Sequence, residues 1–205
     1  STVQEIHERV FNSGMQKFMQ EQSYGKVSFS GNVYGWYVFP QASQFCVFPN
    51  LETIVNFYGI NLSNYDRVVY LGKDAGGGCS GLGKSQNTVN GQVYNLSVAT
   101  VGFSSYHEDN IYQNMPFSWT SFDHILSHEL GHSLGVMHAN GWDCGDQVLY
   151  GDCQHLEYGN LFDTMGLGVY SLHYNAFYKE SLGWLPDRVL PIIKSGIYSI
   201  NPLES

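Results

Sequence analysis

The chain has 205 residues, 43% of them hydrophobic and 15% aromatic, which is enough apolar material for one larger core or two tightly packed lobes. Its formal net charge is −9, with only 9 Lys and Arg and no basic cluster, which argues against nucleic acid or an anionic membrane surface as a partner. No apolar run approaches the roughly 20 residues needed to span a bilayer, and no pattern indicates oligomerisation.

The chain opens on Ser1 and Thr2 with no apolar leader, as the mature or excised part of a longer, zymogen-type precursor would. Residues 2–21 carry Val3, Ile6, Val10, Phe11, Met15, Phe18 and Met19 near helical spacing, which predicts one amphipathic helix. Residues 26–39 shift toward alternation through Val27, Phe29, Val33, Trp36 and Val38, predicting one or two strands around Gly31 and Gly35. Leu51 to Tyr58 reads as a short helix and Arg67 to Leu71 as a short buried strand. Residues 72–84 are rich in glycine, and 91–102 look extended again. From Ser121 to Val136 the pattern is helical, with Asp123 in the first turn. An irregular stretch, 139–170, follows. Ser171 to Trp184 reads as a final helix stopped by Gly183 and Pro186, and Gly196 to Leu203 as the start of a strand. The layout is α+β with one long central helix.

Four cysteines, Cys46, Cys79, Cys144 and Cys153, form no Cys-x-x-Cys pair, so a thiolate zinc site is disfavoured. An even count in a chain poor in lysine favours disulfides and an oxidising compartment. Of the three possible pairings we favour Cys144–Cys153, which closes a short loop, with Cys46–Cys79.

The informative segment runs His128-Glu129-Leu130-Gly131-His132-Ser133-Leu134-Gly135-Val136-Met137-His138. Residues four apart share a helix face, so His128 and His132 can present ring nitrogens to one metal ion. Glu129 sits beside the first ligand, placed to act as general base without coordinating. Gly135 lets the chain leave the helix sharply, so that His138 can return to the same ion. Three imidazoles leave a coordination position open, the arrangement of a catalytic rather than a structural zinc.

This segment resembles the zinc signature of the metzincin metalloproteases. That clan has a tight Met-containing turn under the zinc, and Phe162-Asp163-Thr164-Met165-Gly166 fits it, with Met165 in the supporting place. Tyr158 to Gly166, Asn175 to Leu185, Ser23 to Phe29 and Gly35-Trp36-Tyr37 are further similar to the gametolysin-type and related bacterial metalloproteases, so the likeness touches most of residues 21–203. It implies a secreted zinc endopeptidase with protein or peptide as substrate. The implied fold has an upper lobe, about 1–138, with a twisted mixed sheet, a backing helix and the active-site helix. A small irregular lower lobe, 139–190, carries the C-terminal helix, and 191–205 are a tail or the start of a further region. Substrate would lie in the cleft between the lobes, paired with an edge strand near 94–102. One departure is Leu167, which stands where several metzincin families place a zinc-proximal Tyr; Tyr170 and Tyr174 are the nearby alternatives.

Other features invite weaker readings. Gly78 to Ser85 satisfies the P-loop spacing, but the turn-like residues after it do not promise the helix that a phosphate site requires. His124 lies one turn before His128, but the next residue is Ile125, which cannot act as base, so His124 is read as a rim residue. Asp143, Asp146, Asp152 and Glu157 around the Cys144–Cys153 loop are a candidate calcium site or simply a solvated acidic loop. Two rival functions remain open: a catalytically silent zinc-containing binding or adhesin module, and a zinc hydrolase of a non-peptide amide. Glu129 argues against the first, because a structural zinc has no need of that carboxylate.

Overall fold

A computed structural model describes residues 2–38, 47–73, 80–82, 85–103, 119–147, 151–167, 172–185 and 192–199. The N-terminal stretch forms two helices rather than one. Helix α1 (Val3–Phe11) starts from a capping box in which Thr2 and Glu5 satisfy each other's backbone N–H groups, and it buries Ile6. Helix α2 (Gly14–Gln22) buries Met15, Met19 and Gln22. Asn12, Ser13 and Gly14 are poor interior helix residues, and here the Glu8 carbonyl accepts from Asn12 N, Ser13 N and Ser13 Oγ together. The break lets Arg9 lie over Gly14, where a Cβ would come within 2.5 Å of Nε. Arg9 then pairs with Asp123 on the central helix.

Residues 26–38 enter no sheet, contrary to their alternation. Their backbone donors are taken by side chains instead: Val27 N donates to Ser23 Oγ (2.9 Å) and Phe29 N to Gln16 Oε1 (2.7 Å). Val27 and Phe29 still pack on the main core, so their apolar spacing is used without a ladder.

Helix α3 (Leu51–Tyr58) is capped by Asn50 and ends on left-handed Gly59, as its sequence suggests. A 3-10 turn (Leu62–Asn64) leads into β1 (Arg67–Lys73). Strand β2 (Gly81–Leu82) precedes the hairpin of β3 (Gln86–Val89) and β4 (Gln92–Asn95). Asn90 and Gly91, both at positive φ, make its two-residue turn. A strand, not a helix, follows Ser85, so the P-loop reading fails.

Strand β5 (Ser97–Phe103) lies between β1, parallel to it, and β2, antiparallel, making a small mixed sheet. Residues 97–102 are therefore central, not the free edge expected for substrate pairing. Across this sheet lies α4 (Trp119–Leu134), tied to β1 by Arg67 Nε donating to Ser133 Oγ at 3.0 Å. The stretch after α4 is less irregular than its composition suggests. Strands β6 (Gly141–Asp143) and β7 (Gln154–Leu156) pair as a hairpin, and Cys144 and Cys153 are disulfide-bonded just beyond them. Cys46 and Cys79 lie outside the described residues. The last helix, α5 (Ala176–Ser181), is shorter than residues 171–184 because Asn175 turns back to cap Tyr178 N and Gly183 ends the run at φ 71. Residues 196–199 form no strand.

The main core joins Met15 and Met19 of α2, Val101 of β5, Phe122, Leu126 and Leu130 of α4, and Met165, Tyr174 and Trp184 from beyond it. A second cluster, Val55, Leu62, Val89 and Leu96, sits under α3. No described helix is long and apolar enough to cross a membrane.

Candidate metal centre

Helix α4 places His128 and His132 one turn apart, with ring centroids 4.8 Å from each other. Gly135 at φ 99 then ends the helix, with Gly135 N on His132 O and Val136 N on Gly131 O. The chain doubles back and His138 arrives 4.8 Å from His132 and 5.4 Å from His128 between ring centroids. One ligand atom from each of the three lies within 4.8 Å of the others, so together they can hold a metal ion; among the described residues no other group of acids, histidines or cysteines does this. The loop acids Asp143, Asp146, Asp152 and Glu157 form no such side-chain group. Asp143 instead accepts from Gly145 N, and Glu157 is used elsewhere.

The rings are held from behind. His128 Nδ1 faces Thr164 O at 2.9 Å, His132 Nδ1 faces Val136 O at 3.0 Å, and His138 Nδ1 faces Glu157 Oε1 at 2.8 Å. A carbonyl or carboxylate oxygen can only accept, so each Nδ1 carries a proton, and in the neutral ring that tautomer leaves the lone pair on Nε2. Burial holds the His128 pKa down at about 4 and lowers that of His132, which keeps both rings neutral and competent as ligands near neutral pH.

Glu129 lies beside this group, 5% exposed, with an Oε2 that has no hydrogen-bond partner among the described residues. Burial raises its pKa to about 7. Such a buried carboxyl oxygen is costly unless a group beyond the described residues, such as a bound ion or water, uses it.

Met165 is fully buried beneath the helix, and a Cβ on Gly131, between His128 and His132 in sequence, would lie 2.5 Å from its Sδ. The turn around it is braced by Asp163, whose two oxygens accept from Met165 N (2.7 Å) and Asn175 N (2.8 Å), and closed by Gly166 N on Asp163 O. Gly166 admits no side chain, because a Cβ would run into the Asn160 carbonyl. Thr164 in this turn is the residue whose carbonyl holds His128, so the turn both supports and orients the site.

Comparison of the chain with protein-family models, with curated proteins and with solved structures returned no match. His124 stands edge-on to His128, 6.3 Å between centroids, outside the three-histidine group. Leu167 is exposed and has no hydroxyl to offer. Tyr174 is no substitute, since its buried hydroxyl donates to Ser127 O at 2.7 Å; Tyr170 lies outside the described residues. Two neighbours were not assigned from the sequence. The Tyr158 ring lies 3.8 Å from His138 and 5.9 Å from His128 between centroids, and Glu157 bonds His138. Their signal was faint: both lie just after the acidic loop, and only the pairing of β6 with β7 brings them back to His138.

Proposed function

We propose that the chain is the catalytic domain of a secreted zinc-dependent endopeptidase of the metzincin type. The observation that carries this reading is the meeting of three imidazoles, each with Nδ1 engaged from behind, beside a buried carboxyl with an unpartnered oxygen. Three imidazole nitrogens suit zinc and leave one position of a tetrahedral set open. Zinc held by His128, His132 and His138 would supply Lewis acidity, lowering the pKa of a coordinated water toward 7 and polarising a substrate carbonyl.

The chain's own residues account for the remaining chemistry. Glu129, buried beside the three histidines with an unpartnered oxygen, accepts the proton of the attacking water. As the C–N bond breaks, the same carboxyl delivers that proton to the leaving amine, so the products are a carboxylic acid and an amine. Thr164, Val136 and Glu157 keep the rings in register, and Met165 packs beneath them. The Cys144–Cys153 bridge accords with an oxidising, extracellular setting. The α+β layout, with a histidine-bearing helix packed on a small mixed sheet, is compatible with the layout the resemblance implies.

The test is Glu129→Ala, measured as cleavage of a mixed peptide library together with bound zinc by elemental analysis. The variant should keep its zinc and lose at least about 100-fold in rate, as expected for removal of a positioned base. Full activity in the variant would contradict the assignment. Release of amines from non-peptide amides, with no new peptide termini, would move the reading to an amide hydrolase.

A further inference from the structure

The three histidines are not held alike. His128 and His132 are fixed by the helix that carries them and by main-chain carbonyls, whereas His138 comes from the loop beyond α4 and faces a carboxylate. Its side chain is 24% exposed, so packing alone leaves its ring less confined. We propose that Glu157 is a positioning residue of the metal centre, accepting the His138 Nδ1–H so that Nε2 is held toward the other two ligands and its donor strength is raised. This rests on the reading that the three histidines hold zinc.

The backbone around Glu157 is built to deliver it. The chain leaves His138 along β6 and returns along β7, with Gly141 opposite Leu156 in the register. Beyond the ladder the two arms stay joined: Tyr158 N donates to Asn140 Oδ1 at 3.1 Å, and Asn160 N to Ala139 O at 3.1 Å. Gly141 and Gly159 permit this approach, since a Cβ on Gly159 would lie 2.7 Å from Gly141 N. The Tyr158 ring then covers one side of His138, while Tyr178 Oη donates to the His138 carbonyl at 2.8 Å. Ligand and partner thus leave and re-enter the site on one closed hairpin. A simply solvated carboxylate would need none of this, although Glu157 itself is 62% exposed.

The experiment is the zinc dissociation constant of the full chain, measured by competition with a chromophoric chelator, for wild type, Glu157→Ala, Glu157→Gln and Asp146→Asn. Thermal midpoints of the metal-free forms are measured beside it. Glu157→Ala should bind zinc about 10- to 100-fold more weakly. Glu157→Gln, which keeps an acceptor oxygen, should recover part of that loss and decides the matter if the alanine variant does not fold. Asp146→Asn, which removes one negative charge from the neighbouring Cys144–Cys153 loop, should bind as wild type does, and the metal-free midpoints should coincide. Wild-type affinity in Glu157→Ala, or an equal loss in Asp146→Asn, would overturn the proposal while leaving the zinc reading intact. A wild-type chain that binds no zinc would overturn both.

Discussion

Glu129 has no hydrogen-bond partner for its Oε2 and sits where burial lifts its pKa from the ordinary 4.5 to about 7. In the metal-free protein the folded state therefore favours the protonated acid. Its contribution to stability is fully present below the unfolded value and is lost as pH rises through about 7. Glu129→Gln stays neutral throughout, so between pH 4 and 8 its stability should gain on that of the wild type by about 3 kcal/mol, at 1.36 kcal/mol per pKa unit. Denaturant unfolding of the two metal-free proteins measures this; parallel pH profiles would contradict it. At Gly131 two effects compete. Alanine favours a helix by about 1 kcal/mol over glycine, but its Cβ would lie 2.5 Å from Met165 Sδ and 3.0 Å from the Tyr174 ring, both fully buried. Overpacking of that kind costs about 1–3 kcal/mol, which outweighs the helix gain over most of that range, so Gly131→Ala should be destabilised by up to about 2 kcal/mol, read as a lower denaturation midpoint.

Among elements, the histidine-bearing helix α4 is the most legible from sequence. Its periodicity and the His-Glu-x-x-His spacing both place it, and the structure starts it two residues earlier than Ser121. Other elements depend on tertiary partners that no local pattern announces. The apolar spacing of residues 2–21 runs on through Asn12 and Ser13, and only the turn at Glu8 and the reach of Arg9 to Asp123 show the break. Residues 26–38 look like strands because their apolar side chains face a core, yet side chains of α2 and the turn after it take their backbone donors. The β6–β7 hairpin was missed because three-residue strands carry too little alternation to stand out. Its disulfide spans a sequence separation of 9, a short loop whose closure is worth about 2–3 kcal/mol. Replacing Cys144 and Cys153 by serine together should lower stability by that amount, measured by denaturant unfolding. It should also weaken zinc binding, because the same hairpin carries Glu157 to His138; unchanged zinc affinity would separate the hairpin from the site.

At the scale of the molecule, one core runs from Met15 and Met19 through Leu126 and Leu130 to Met165, Tyr174 and Trp184, so the floor of the site is continuous with the fold's main interior. The α+β class and the meeting of the three histidines could be read from the chain, since they rest on a long helix and one dense motif. The outer partners of those histidines could not, because Thr164, Glu157 and Tyr158 reach them only through the folded turns. Because the metal would tie α4 to the loop beyond it, its removal should lower the thermal midpoint, the more so the tighter the binding; a midpoint unmoved by chelator and by added zinc would contradict this. The most direct test of the central claim is digestion of an unfolded protein such as casein with the intact chain, before chelation, after chelation and after return of zinc, alongside metal analysis. Cleavage that stops with the chelator and returns with one zinc per chain is the predicted result. One bound zinc without cleavage of any protein or peptide, or cleavage indifferent to the chelator, would contradict it.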